Sequence, residues 1–241
     1  MTPFRRHDRR GLLVIGLALA AALPVERPAT AGPVLAAAGG RGDPLATVAL
    51  VETLRLGVER ATEALGRPGG FADDPAVRIV LPGGLADVRD GLVGAGLGPL
   101  VATLEIRMNQ AAEAAMPEAG AVLRDALATL TIDDAAAILV GPEDGATAHF
   151  AAQALPSLVE RLTPLVETAL GDAGAVEAFD AFVTEYSALP LMPDVRGTLT
   201  RHVVDGALAG LFHHIARTER DIRHDPAART SDLLRRVFGD G

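Results

Sequence analysis

Apolar residues recur at helical spacing through most of the chain, beginning with Leu50, Leu54, Val58, Ala61 and Leu65. Asp43-Pro44 ahead of them is a helix-start pair, since an Asp side chain accepts a free first-turn amide and Pro is pre-set for the position after it. Gly66 and Arg67-Pro68-Gly69-Gly70 end that helix. The period changes once: Asp74-Pro75 opens a turn, and Val77-Arg78-Ile79-Val80-Leu81 then reads as extended up to Pro82-Gly83-Gly84. Helices are predicted over about 85–93 and from near Pro99 to Met116, where Pro117 should interrupt the pattern and restart it toward Leu130. At the centre, Thr131 with Asp134 three residues on predicts a helix start, with Asp133 and Asp134 in the first turn. Gly141-Pro142 then predicts a stop, and Glu143 and Asp144 a second start.

Pro156 begins another run through Leu158, Leu162, Leu165, Val166 and Ala169 to Gly171, and a further helix is predicted over about 173–186. Leu189-Pro190-Leu191-Met192-Pro193 is a rigid connection. Val203, Val204, Leu208, Leu211, Phe212 and Ile215 mark the last long helix, with Gly206 and Gly210 placed for close helix crossing. Asp225-Pro226, a short turn and a final helix carrying Leu233, Leu234, Val237 and Phe238 close the chain, with Ser231 at the expected cap. The pattern describes an all-α fold, a single compact domain of about eight to ten helices over residues 44–239, with at most one short extended segment. Short links imply antiparallel neighbours.

Composition changes this picture in three ways. The absence of Cys excludes disulfides, thiolate metal sites and a Cys nucleophile, and with no Lys, all 22 basic residues being Arg, a phosphate-loop lysine and a Schiff base are excluded too. The first 31 residues read as a cleavable secretory signal: Arg5, Arg6, Arg9 and Arg10, then an apolar run over 11–23 too short to span a bilayer, then Ala29-Thr30-Ala31. Arg9-Arg10-Gly11-Leu12-Leu13 also resembles a twin-arginine motif, although adjacent arginines are common in ordinary signals. Residues 32–43 form a flexible tether. Cleavage before Gly32 would remove five Arg and two acids, taking the formal charge from -9 to -12. A periplasmic or secreted protein so acidic is a poor nucleic-acid binder, and no membrane span remains once the signal is removed.

Candidate chemistry is sparse. Gly83-Gly84 after an extended segment lacks the rest of a phosphate loop. No two histidines stand three or four apart, His213 and His214 diverge on their helix, and Asp221 with His224 makes at most a weak pair, so neither a metal nor a cofactor is expected. Ser157, Ser187 and Ser231 lie outside any nucleophile elbow, and Glu143-Asp144 diverges at a helix start. Glu105, Asn109 and Glu113, spaced four apart, line up as a polar stripe, for which a solvated face is the favoured reading. Arg229 between Asp225 and Asp232 has carbonyls and acids of its own segment in reach, the favoured account, although its guanidinium would also suit an anionic ligand. The polar or ligand-contacting candidates are therefore Arg78, Asn109, Glu113, Asp134 and Arg229.

Several blocks, in order over roughly residues 45–239, resemble the bacterial domain of unknown function 4197. They are Ala76-Val77-Arg78-Ile79 before Leu81-Pro82; Met108-Asn109-Gln110-Ala111-Ala112-Glu113; the central stretch from Thr131 to Thr147; Leu211-Phe212 with Ile215-Ala216; and Asp225 to Gly239. Ala209 departs from the pattern, which carries an acid there. The resemblance implies a helical, exported protein and brings no activity with it. The function expected is that of a non-enzymatic protein binding a protein partner or an envelope component. The alternative is a small-molecule binder or hydrolase using Arg78, Asn109, Glu113 and Arg229, and convergence of those four side chains in one cleft would favour it.

Overall fold

Asp43 caps the first helix as its sequence predicts, its carboxylate accepting from the Leu45 amide at 2.9 Å, and α1 runs Pro44–Leu65. The computed structural model describes residues 43–81, 94, 96, 98–178, 180 and 195–239. Expectations for residues 1–42, for the helix over 85–93 and for the connection Leu189-Pro190-Leu191-Met192-Pro193 lie outside these. The other elements are α2 Gly98–Ala128, α3 Ala135–Val140, α4 Gly145–Asp172, α5 Val195–His224, a 3-10 turn Pro226–Ala228 and α6 Asp232–Phe238. Among the described residues these make seven helical elements and no strand, rather than the eight to ten helices expected. Part of that difference lies in the helices predicted over 85–93 and 173–186, of which only helical residues 175–178 and 180 are described.

α1, α2, α4 and α5 close a ring in which each packs on the next, α5 returning to α1. One continuous core fills it, including Leu50, Leu54, Leu104, Met108, Leu123, Phe150, Leu158, Leu162, Leu208 and Leu211. A smaller cluster of Ala49, Ile222 and Leu234 seats α6. Gly57 marks a close approach of α1 to α5, since a Cβ there would meet Ile215 Cγ2 at 2.9 Å.

Two boundaries differ from expectation for one reason. Pro117 lies inside α2, and Pro156 and Pro164 lie inside α4, so neither helix is interrupted. An interior proline costs about 3 kcal/mol, but the buried stripe stays in phase across it. Met108, Ala112, Ala115, Met116, Ala119 and Leu123 are all buried around Pro117, and Ala154, Leu158, Leu162 and Val166 around the α4 prolines. At about 1.5–3 kcal/mol per buried large side chain, the stripe outweighs the break.

The central stretch is also offset. The cap of α3 is Asp134, whose carboxylate accepts from the Ala137 amide at 3.0 Å, three residues later than the predicted cap Thr131. Thr131 instead docks on α4, its carbonyl facing His149 and Gln153. At the other end of the chain Ser231 caps α6 as predicted, accepting from the Leu234 amide at 3.2 Å.

Candidate functional site

Among the described residues the extended segment 77–81 has no partner strand; the Val77 and Arg78 amides turn back onto Asp74 O, and the Ile79 and Leu81 amides are taken by side chains. Along one face of α2, Glu113 Oε1 accepts from the Phe71 and Ala72 amides at 3.2 and 3.4 Å. One turn earlier Asn109 Oδ1 accepts from Ile79 N at 3.0 Å, while Asn109 Nδ2 donates to Ile79 O and Glu105 O, both at 2.7 Å. A further turn back, Glu105 Oε1 accepts from Leu81 N at 3.2 Å. Asn109 is 0% exposed and Glu113 7%, so the expectation of a solvated stripe is overturned. An extended segment without a partner strand brings buried amides and carbonyls that must be paired, and this stripe pairs those of Ile79 and the amide of Leu81.

α5 holds the same segment from the other side. His202 Nε2 lies 2.6 Å from Val80 O, and His214 Nε2 lies 3.4 Å from Asp74 Oδ2. A Cβ at Gly206 would meet Ile79 at 3.0 Å and one at Gly210 would meet the Phe71 ring at 2.7 Å. These glycines thus admit the extended segment, where helix crossing was expected. The Ala76 amide holds the Asp74 carboxyl below its ordinary value, helped by His214 and His213 and opposed by desolvation. Burial pushes His214 below the usual histidine range, with Asp74 opposing the shift and His213 and Arg217 adding to it.

A second buried polar cluster was missed from sequence. Glu219 of α5 is 0% exposed. Its Oε1 accepts from Ala146 N at 3.0 Å, and its Oε2 from Thr147 N at 2.8 Å and Thr147 Oγ1 at 2.7 Å. A carboxylate borrowed from another helix thus caps α4, while Asp144, the predicted cap, makes no such bond and sits 3.4 Å from Arg220. Arg223 pairs with Glu219 at 2.8 Å, donates to Leu139 O at 2.9 Å and Ile138 O at 3.1 Å, and lies over the Phe238 ring. One ion pair therefore holds the end of α3 and the start of α4 together. The available signal was an i, i+4 acid and Arg in the charged last turns of α5, where Arg217, Arg220 and Asp221 also stand, and sequence alone reads such a run as surface charge.

The remaining candidates do not converge with these. Arg229 donates from Nε to Ile222 O and from Nη2 to Arg223 O, both at 2.9 Å, capping the last carbonyls of α5. Asp134 is a helix cap. Arg78 is an exposed residue of the extended segment itself. His224 pairs with Glu143 at 2.9 Å rather than with Asp221. Two open grooves flank α4, one of about 590 Å³ bordered by Thr163, Glu167, Arg201 and Asp205, and one of about 560 Å³ bordered by Arg107, Gln110, Glu118 and Asp172. None of the five candidates borders either. Among the described residues, no three His, Cys, Asp or Glu side chains group as a metal site, and no helix is long and apolar enough to cross a membrane.

A capped helical ring that closes on one side-chain-pinned extended segment is the class of protein that fold and geometry define. The chain belongs to the family described as "Protein of unknown function (DUF4197)", which matches residues 43–239. No curated protein and no solved structure matches the chain.

Proposed function

We propose that the chain is exported, acts in the periplasm or outside the cell, and works without catalysis by binding a protein or other envelope component. The observation that carries the binding reading is the commitment of Asn109 and Glu113. Both are buried against the backbone of residues 71–79, so half of the side chains the hydrolase alternative requires are engaged in holding the fold. Arg229 is likewise engaged with carbonyls. The basic start, short apolar run and small-residue site before Gly32 support export, and the acidic balance favours a partner with a basic or polar face.

The test expresses the full-length chain in a bacterium, fractionates the cells and identifies the N-terminus by mass spectrometry, with photo-crosslinkers placed at the exposed positions Arg78 and Arg107. Export predicts a chain beginning at Gly32 in the periplasmic or medium fraction, and binding predicts discrete crosslinks to an envelope component. An uncleaved cytosolic chain sinks the first claim. Hydrolysis of a small molecule that disappears with Arg78→Ala sinks the second.

A further inference from the structure

Three polar atoms at the start of the central stretch form a nearly equilateral triangle. His149 Nε2 lies 2.7 Å from Thr131 O and 2.7 Å from Gln153 Nε2, and Gln153 Nε2 lies 2.8 Å from Thr131 O. Protons cannot satisfy all three edges. If His149 Nε2 carries its proton and donates to Thr131 O, it faces the Gln153 N–H as donor against donor. If Nε2 is bare and accepts from Gln153, it faces the Thr131 carbonyl as acceptor against acceptor. If the Gln153 amide is turned over, its Oε1 faces Thr131 O, again two acceptors. A positive charge at the centre satisfies every edge in the turned arrangement, because all three vertices then carry lone pairs.

We propose that Thr131 O, His149 Nε2 and Gln153 Oε1, with the amide turned, form an open three-ligand face for one first-row divalent transition cation. With metal–ligand distances of about 2.1 Å, a triangle 2.7–2.8 Å on a side subtends about 80° at the metal. That is close to the right angle of an octahedral face and leaves three positions for water. An imidazole nitrogen beside two neutral oxygens selects nickel, cobalt or zinc over calcium or magnesium. His149 and Gln153 stand four apart on α4, so their side chains share a face. Turning the amide gives up the long contacts of Gln153 Oε1 with Thr131 N at 3.4 Å and Thr131 Oγ1 at 3.3 Å, and the hydroxyl then accepts from Nε2. Asp133 and Asp134, two and three residues after Thr131, add negative charge to the neighbourhood.

The test is titration of the full-length chain, without a polyhistidine tag, with nickel chloride by calorimetry and with cobalt chloride by visible absorption. One equivalent should bind more tightly than about 1 mM. His149→Ala should weaken binding by at least the ~10-fold typical of a disturbed ligand set. Gln153→Glu, which replaces a neutral oxygen by a carboxylate, should tighten it at least as much, while its metal-free thermal midpoint falls because the carboxylate faces the Thr131 carbonyl. Absence of binding at that concentration, unchanged affinity in His149→Ala, or weaker binding in Gln153→Glu would each overturn the proposal.

Discussion

Asn109 grips Ile79 by both polar groups of its backbone, accepting from the amide at 3.0 Å and donating to the carbonyl at 2.7 Å, while fully buried. One side chain thus does for Ile79 what a neighbouring strand does in a sheet. Truncating it strands two buried backbone groups, each costing about 1–3 kcal/mol. Asn109→Ala should therefore lower unfolding stability by roughly 2–4 kcal/mol, well above the loss expected of a solvated stripe. Urea denaturation measures it, and a loss under about 1 kcal/mol would contradict the grip.

Glu219 and Arg223 form a buried pair with further hydrogen bonds on both partners. Removing one partner leaves the other charged and unpaired, so Glu219→Ala should cost about 3–5 kcal/mol. The double change Glu219→Leu with Arg223→Leu should cost less than the two single changes added together. A double-mutant cycle in guanidinium reads the difference, and simple additivity would show that the two side chains do not act together.

Two glycine substitutions should have opposite signs. Gly210→Ala drives a methyl to 2.7 Å from the Phe71 ring, so overpacking of about 1–3 kcal/mol should exceed the helix-propensity gain. Gly171→Ala meets nothing within 4 Å and should stabilise α4 by up to about 1 kcal/mol. Thermal midpoints of both variants decide this, and a stabilised Gly210→Ala would mean that the extended segment gives way.

Stability should fall as pH falls, in two stages. His214 is depressed below 6.5 in the folded chain, so the unfolded state binds more protons as pH drops below that value. Asp74 is depressed below 3.8, so its contribution is present above 3.8 and lost as pH falls through its folded value. His214→Gln should flatten the first stage and Asp74→Asn the second, in denaturation curves collected across pH. A first stage unchanged in His214→Gln would assign it to another group.

Arg229→Ala removes two donors from the last carbonyls of α5. The midpoint of thermal unfolding should fall, and loss of function in cells should track loss of protein. A variant that keeps its midpoint and abundance but loses the phenotype of the intact gene would instead place Arg229 in a binding site.

Local punctuation was the legible part of the fold. Asp43-Pro44, Gly141-Pro142, Asp225-Pro226 and Ser231 act within a few residues of themselves, so their caps and stops appear where the residues stand. What could not be read was set by distant partners. Pro117 reads as a break until the stripe on either side is seen to be buried. Glu219 reads as surface charge until α4 presents its free amides to it from more than seventy residues away in sequence. The polar stripe of α2 had a usable signal: an extended stretch with no second strand-like stretch in the sequence needs side chains to pair its backbone, and Glu105, Asn109 and Glu113 were the aligned set available.

The position of residues 71–81 bears on when the molecule can finish folding. The segment runs opposite to α2, pairing 71 with 113 and 81 with 105, and opposite to α5, placing 74 near 214 and 80 near 202. It therefore wedges between two helices on opposite sides of the ring, one about thirty residues away along the chain and the other more than a hundred. Contacts so distant form slowly, because a long loop must close first. A chain emerging N-terminus first has Phe71, Val77 and Ile79 on hand from the outset but cannot bury them until residues 202–214 arrive. Until then those three apolar side chains lack the α5 surface that covers them in the finished fold.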